Sequence, residues 1–228
     1  VFQKIYEGKQ AYINMYTFAS SLEAIESGNL ALVEKDEETG ELIETDEMLF
    51  TEEEIADIEE AAWAIYDAYA EGSYSTETTL SEVAAIKSDF AGIIPAQDED
   101  GYYLIGTPKE LAAFRGISSF ADYTVKGKLT ADIDMSGIAM QPINQWDYSY
   151  RGTFDGQGYA ISDVYISFES ERCGLFNTLD GATVKNLKLT GDYYSGQKFM
   201  GGVAGYTYGA TVQNCEVDVT LHSTVEGD

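Results

Sequence analysis

The sequence predicts a mixed fold: an acidic α-helical region over residues 1–100, then a short right-handed parallel β-helix (a β-solenoid) over residues 101–228 with an N-terminal helical cap. Three observations predict it. First, GLFNTLDGATVKNLKLT (174–190) is echoed by GVAGYTYGATVQNCEVD (202–218) at a constant offset of 28 residues, with six of 17 positions identical. Repetition at that period marks units that bury their apolar faces against one another. Second, ADIDM, SDVYI, KNLKL and QNCEV share a polar residue followed by alternating apolar positions. Their polar anchors, Asp132, Asp163, Asn186 and Asn214, stand 31, 23 and 28 residues apart. Third, the first hundred residues carry apolar positions at helical spacing behind capping boxes.

The totals narrow the partners. Among 228 residues the formal charge is −27, and the first hundred hold 25 acidic residues against 4 basic ones. Such a surface repels phosphates and anionic lipid heads, so neither nucleic acid nor membrane insertion is expected. No apolar run approaches the ~20 residues of a membrane span. His222 is the only histidine, which excludes metal motifs built on two imidazoles; no metal or other cofactor is expected. Cys215 replaces Leu187 in the repeat and reads as core filler rather than half of a disulfide with Cys173.

In the acidic part, apolar residues from Phe2 to Ile25 recur at helical spacing, with Gly28 as a stop. A second helix starts at Thr51, boxed by Glu54, with Ile55, Ile58, Ala62, Ile65, Tyr66 and Tyr69 along one face. A third is expected at Thr79, boxed by Glu82, with Leu80, Val83, Ile86 and Phe90 inward. Between the first two, Leu30 and Leu32 alternate with polar residues and Thr39-Gly40 can turn the chain, which predicts an acidic hairpin. Asp36, Glu37, Glu38, Glu41 and Glu44 lack EF-hand spacing and read as a solvated face. GIIPAQDEDG (92–101) reads as a boundary.

The second half begins with a strand and a short helix. Thr107 is its N-cap, Pro108 its first residue and Glu110 the box partner, and Leu111, Ala112 and Phe114 form a lid. Stacking would place Ile133, Val164, Leu187 and Cys215 in one interior column, and Met135, Ile166, Leu189 and Val217 in the next. The four anchors would hydrogen-bond neighbouring turns.

LTADIDMSG (129–137), GTFDGQGYAIS (152–162), GLFNTLDGATVKNLKL and GGVAGYTYGATVQNC together resemble the bacterial GLUG-motif repeat region found in immunoglobulin A1 metalloprotease-like and other large secreted or wall-anchored proteins. The resemblance covers about residues 102–221. It implies a β-helix on a bacterial cell surface, or outside the cell, as one module among further domains of the same chain. The zinc motif of the proteases has no counterpart here, so no catalytic residue carries over.

Chemistry on a glycan needs paired carboxylates or a base beside a neutralised uronate. Asp132, Asp134, Asp155, Lys126, Lys128 and Arg151 are the candidates, and each reads first as a turn or strand residue; none is assigned as catalytic. The expectation is a non-catalytic module with an adhesion or structural role, with a glycan-binding or polysaccharide-degrading domain as the alternative. Its candidate ligand residues are Trp146, Tyr148 and Tyr150 in the loop NQWDYSY, with Tyr206 and Tyr208 in the later turns. Tyr193, Tyr194 and Phe199 crowd the same turns. Host or dietary glycans and surface proteins are the expected partners. The chain opens on VFQKIYEGKQ, without an initiator Met, and reads as a segment of something longer. VDVTLHST is an edge strand expected to be covered, either by more chain or by another molecule.

Overall fold

The computed structural model describes residues 24–39, 41–144, 148–168, 171–195 and 198–223. Most of the first expected helix, with Trp146 and the side chain of Leu80, falls outside them. Residues 24–27 are helical and stop at Gly28.

The acidic hairpin forms. β1 (Ala31–Lys35) pairs antiparallel with β2 (Leu42–Met48), and Asp36 Oδ1 accepts from the Glu38 and Thr39 amides to bend the chain. α1 (Glu52–Ala70) begins with the capping box of Thr51 and Glu54, and buries Ile58 and Ile65 while Tyr66 stays exposed. α2 (Thr76–Asp89) starts earlier than Thr79. Ser75 is its cap, accepting from the Thr78 amide, and Thr79 sits buried in the first turn with its hydroxyl on the Ser75 carbonyl. Val83 and Ile86 are buried as expected.

β3 (Tyr102–Ile105) leads into α3 (Pro108–Gly116). Thr107 caps α3, but the Glu110 carboxylate accepts from Gly106, one residue before the cap. Leu111, Ala112 and Phe114 are fully buried. Phe114 packs on Tyr103, Tyr150 and Phe154 with centroids 5.6–6.3 Å apart, and burying one such ring contributes about 1.5–3 kcal/mol. A π-helical turn follows over Ile117–Ala121.

The remaining strands are β4 (Lys126–Leu129), β5 (Ile133–Asp134), β6 (Thr153–Asp155), β7 (Ala160–Ser167), β8 (Arg172–Cys173), β9 (Phe176–Asp180), β10 (Thr183–Lys185), β11 (Lys188–Ser195), β12 (Phe199–Met200), β13 (Ala204–Tyr208), β14 (Thr211–Gln213) and β15 (Glu216–Ser223). They divide among a five-stranded sheet (β14-β10-β6-β4-β3), a four-stranded sheet (β15-β11-β7-β5) and two pairs (β12-β8 and β13-β9), all parallel. The expectation of a helical region followed by one right-handed parallel β-helix is therefore corrected. The first hundred residues contain a β-hairpin as well as helices, and the second half forms several short parallel sheets rather than a single solenoid. The fold is mixed α/β.

The 28-residue offset does set the register. Thr183, Val184 and Lys185 pair with Thr211, Val212 and Gln213, and Lys188 through Ser195 pair with Glu216 through Ser223. Of the expected interior columns, the step from Leu189 to Val217 forms, but the steps through Val164 and Ile166 do not. Ile133 lies beside Ile161, Ile161 beside Leu189 and Leu189 beside Val217, whereas Val164 faces Gly191. The cause is register: Ile161 sits opposite Leu189, 28 residues on, whereas the expected column set Val164 against Leu187, 23 residues on. A bulge in β7, where Ser162 and Asp163 lie opposite Thr190 alone, then shifts the register by only one residue. Asp163 takes a left-handed backbone (φ 54°), and its amide donates to the Thr190 hydroxyl. Beyond the bulge, Ile166 meets Tyr193 rather than Leu189.

The anchors are redistributed accordingly. Asn214 Nδ2 donates to Asn186 Oδ1, and Asn186 Nδ2 donates to Asp155 Oδ1. Asp132 instead accepts from the Ala160 amide. Gly156 follows Asp155 because a Cβ there would lie 2.5 Å from the Asn186 carbonyl oxygen and from Leu187 Cα.

Candidate functional site

Parallel pairing sends alternate side chains of a strand to opposite faces. In β13, Thr207 stacks on buried Leu179, so Tyr206 and Tyr208 point the other way, beside Thr178 and Asp180. Both tyrosines are exposed, Tyr208 at 71%. Asp180 pairs with Arg151 at 2.7 Å. The Arg151 guanidinium lies 5.5 Å from the centroid of Tyr123, and Tyr123 stacks on Tyr148 at 6.3 Å and 23°. Tyr148 is itself 57% exposed. A second guanidinium, Arg172, sits 5.0 Å from the Tyr206 ring and donates to the Thr178 hydroxyl, while Phe199 meets Tyr206 edge-on at 6.0 Å. These contacts link Tyr148, Tyr123, Arg151, Asp180, Tyr208 and Tyr206 by stacking, ion pairing and strand register.

Three of the expected ligand residues, Tyr148, Tyr206 and Tyr208, thus lie on exposed ground, and Trp146 is outside the described residues. Tyr150 is corrected. It is fully buried, its ring stacks on Phe176 at 5.0 Å and its hydroxyl donates to the Val125 carbonyl. Alternation would put Tyr148 and Tyr150, two residues apart, on one face; they split because Tyr148 still lies in the loop, whereas Tyr150 has entered the bridge with Leu179. Tyr193 is also core, whereas Tyr194 stacks flat on His222 at 4.1 Å and leans on Tyr165. Tyr123 and Arg172 carried no signal in the repeat pattern. A tyrosine or arginine between strands is marked only by the partner that reaches it.

The groups weighed for catalysis have structural partners. Asp155 receives Lys185 Nζ at 3.1 Å, the Gln157 amide and the Asn186 side chain. Burial pushes its carboxyl up, but those donors outweigh burial and hold it below the ordinary carboxylate range. Asp134 caps the Ser136 amide. Lys126 reaches the Asp100 carbonyl, and Lys128 pairs with Asp98. Arg151 belongs to the exposed aromatic line.

A concave region lies elsewhere, between the hairpin and the outer face of β7 and β11. It is a cleft of about 580 Å³ lined by Lys35, Thr39, Leu42, Tyr165, Asp192 and Tyr194 among others. Its hairpin wall is tied down by the Leu32–Ile138 bridge and by the Tyr165 hydroxyl on the Leu42 carbonyl. Among the described residues, no group of three or more His, Cys, Asp or Glu could hold a metal ion. No described helix is long and apolar enough to cross a membrane, which says nothing of strands.

No family model matches the chain, and no solved structure matches it. The chain is similar to a protein of Evansella cellulosilytica provisionally named a Gly-rich membrane protein, at 31% identity over 96 residues. The match covers 40% of this chain and 11% of that relative.

Proposed function

We propose that the chain is a non-catalytic module of a secreted or cell-surface bacterial protein, and that it adheres to glycans through the tyrosine–arginine line. The observation that carries this reading is the exposure of Tyr148, Tyr206 and Tyr208 beside two guanidinium groups. Large rings cost solvation free energy when left in water, and a contiguous set of them marks a contact surface. Tyrosine faces stack on the C–H faces of sugar rings, while guanidinium and carboxylate groups hydrogen-bond the hydroxyls. The relative named for a membrane protein and the resemblance to GLUG-motif regions both support an envelope setting. The structural engagement of Asp134, Asp155 and Lys128 supports a binding role over glycan cleavage.

The test is a panel of bacterial, plant and host polysaccharides, scored both for retention of the chain and for new reducing ends or unsaturated products. Retention without product is the expected result. Product formation would replace this reading with the enzymatic alternative, and no retention on any glycan would leave only the structural role.

A further inference from the structure

We infer that the open edge of β14 and β15 is an addition site for an extended polypeptide segment of the same 28-residue pattern, running parallel to them with a Lys or Arg facing Glu216. The inference does not rest on glycan binding.

Equivalent positions one repeat apart supply the argument. Val184, Leu189 and Tyr193 are 0%, 1% and 0% exposed, whereas their register partners Val212, Val217 and Leu221 are 45%, 42% and 43% exposed. Among the described residues, the inner set has a strand on both sides and the outer set has one. β14 and β15 each end their sheet, so backbone donors and acceptors on their outer side have no strand partner among the described residues, a template for main-chain pairing. The missing neighbour is defined by continuity with the interface already built, in which apolar residues stack on apolar residues at these three positions.

Charge selects further. Lys188 stands directly opposite Glu216 across the existing pair. A segment entering in the same register sets its own equivalent residue against the other side of Glu216, where a cation is favoured and a carboxylate is not. A second copy of this chain docking edge to edge would instead bring together two molecules of charge −27 across Glu216 and Asp218, so a repeat-pattern segment with a basic residue is the occupant.

The probe is a synthetic peptide of residues 181–195, GATVKNLKLTGDYYS, added to the full chain. Saturable one-to-one binding is expected, with amide exchange in 211–213 and 216–223 slowed about tenfold or more. Glu216→Lys lies on the surface and should weaken binding about tenfold, and a peptide with Lys188→Glu should recover it. Absence of saturable binding, equal binding by a scrambled peptide, or protection confined to other strands would overturn the inference. So would a peptide-independent dimer whose β15 amides are already protected, and so would an affinity that ignores the charge swap.

Discussion

Asn214 donates its side-chain amide to Asn186 Oδ1 at 3.3 Å, and the two residues, one repeat apart, hold the same left-handed backbone at φ 53° and 54°. Asn186 passes the contact on to Asp155 at 2.9 Å. Asn is suited to the role because it tolerates that backbone and carries both a donor and an acceptor. The three corners at Asp155, Asn186 and Asn214 are therefore bonded in series by side chains as well as by strand pairing.

Substitution of Asn186 separates these two contributions. Asn186→Gly keeps the backbone and loses the amide contacts, at about 1–2 kcal/mol. Asn186→Ala loses the contacts and adds about 1 kcal/mol of left-handed strain. Urea denaturation should rank Ala below Gly, and equal stabilities would contradict the role assigned to the backbone.

Asp155 sets part of the acid sensitivity. Its folded carboxyl lies below its unfolded value, so the unfolded chain binds the proton first as pH falls. The stability it contributes is complete above the ordinary carboxylate range, near ~4, and is lost as pH drops through the lower folded value. Asp155→Asn should flatten stability against pH below about 4, measured by thermal melts at stepped pH. An unchanged acid slope would count against the contact set.

Tyr193 is buried with a hydroxyl that has no hydrogen-bond partner among the described residues. Removing an unsatisfied buried polar atom relieves its desolvation, so Tyr193→Phe should be neutral or stabilising by up to about 1–2 kcal/mol. A clear loss of stability in denaturant titrations would show that the hydroxyl is bonded.

The two thiols are free and differ in access. Cys173 is fully buried, and burial pushes its thiol up to about 11, whereas Cys215 is half-buried beside the open edge. A thiol reagent should label one cysteine per native chain quickly and both after denaturation. No labelling in the denatured, unreduced protein would mean that they are bridged.

Much of the local structure was legible in the sequence. The Thr51–Glu54 box, the Thr107 cap, the hairpin and the 28-residue register all follow from neighbours within a few residues or from direct repetition. What was not legible depended on contacts at a distance. Asp163 resembles Asn186 in sequence and stands 23 residues before it, but the strands pair at offsets of 28 and 27, so matching the two residues misplaces Val164. Asp155 read as a turn residue, although it accepts from Asn186 across 31 positions. Sequence-based expectation put Tyr150 with Tyr148 as a surface ring. The aromatic core of Phe114, Phe154 and Phe176 claims it instead. Tyr123 and Arg172 join the candidate surface only because separate strands bring Arg151 and Tyr206 to them. The single-solenoid expectation failed for a related reason, since repetition reports that strands pair but not how many sheets they form.

The central claim is that the exposed tyrosine–arginine line, and no buried ring, holds the ligand. Calorimetric titration of a retained glycan into the unaltered chain and into a Tyr206→Ala/Tyr208→Ala variant tests it most directly. Each lost stacking contact is expected to remove about 0.5–1.5 kcal/mol, so the double variant should bind about tenfold or more weakly while melting at the same temperature. Equal affinity in the two proteins would contradict the account.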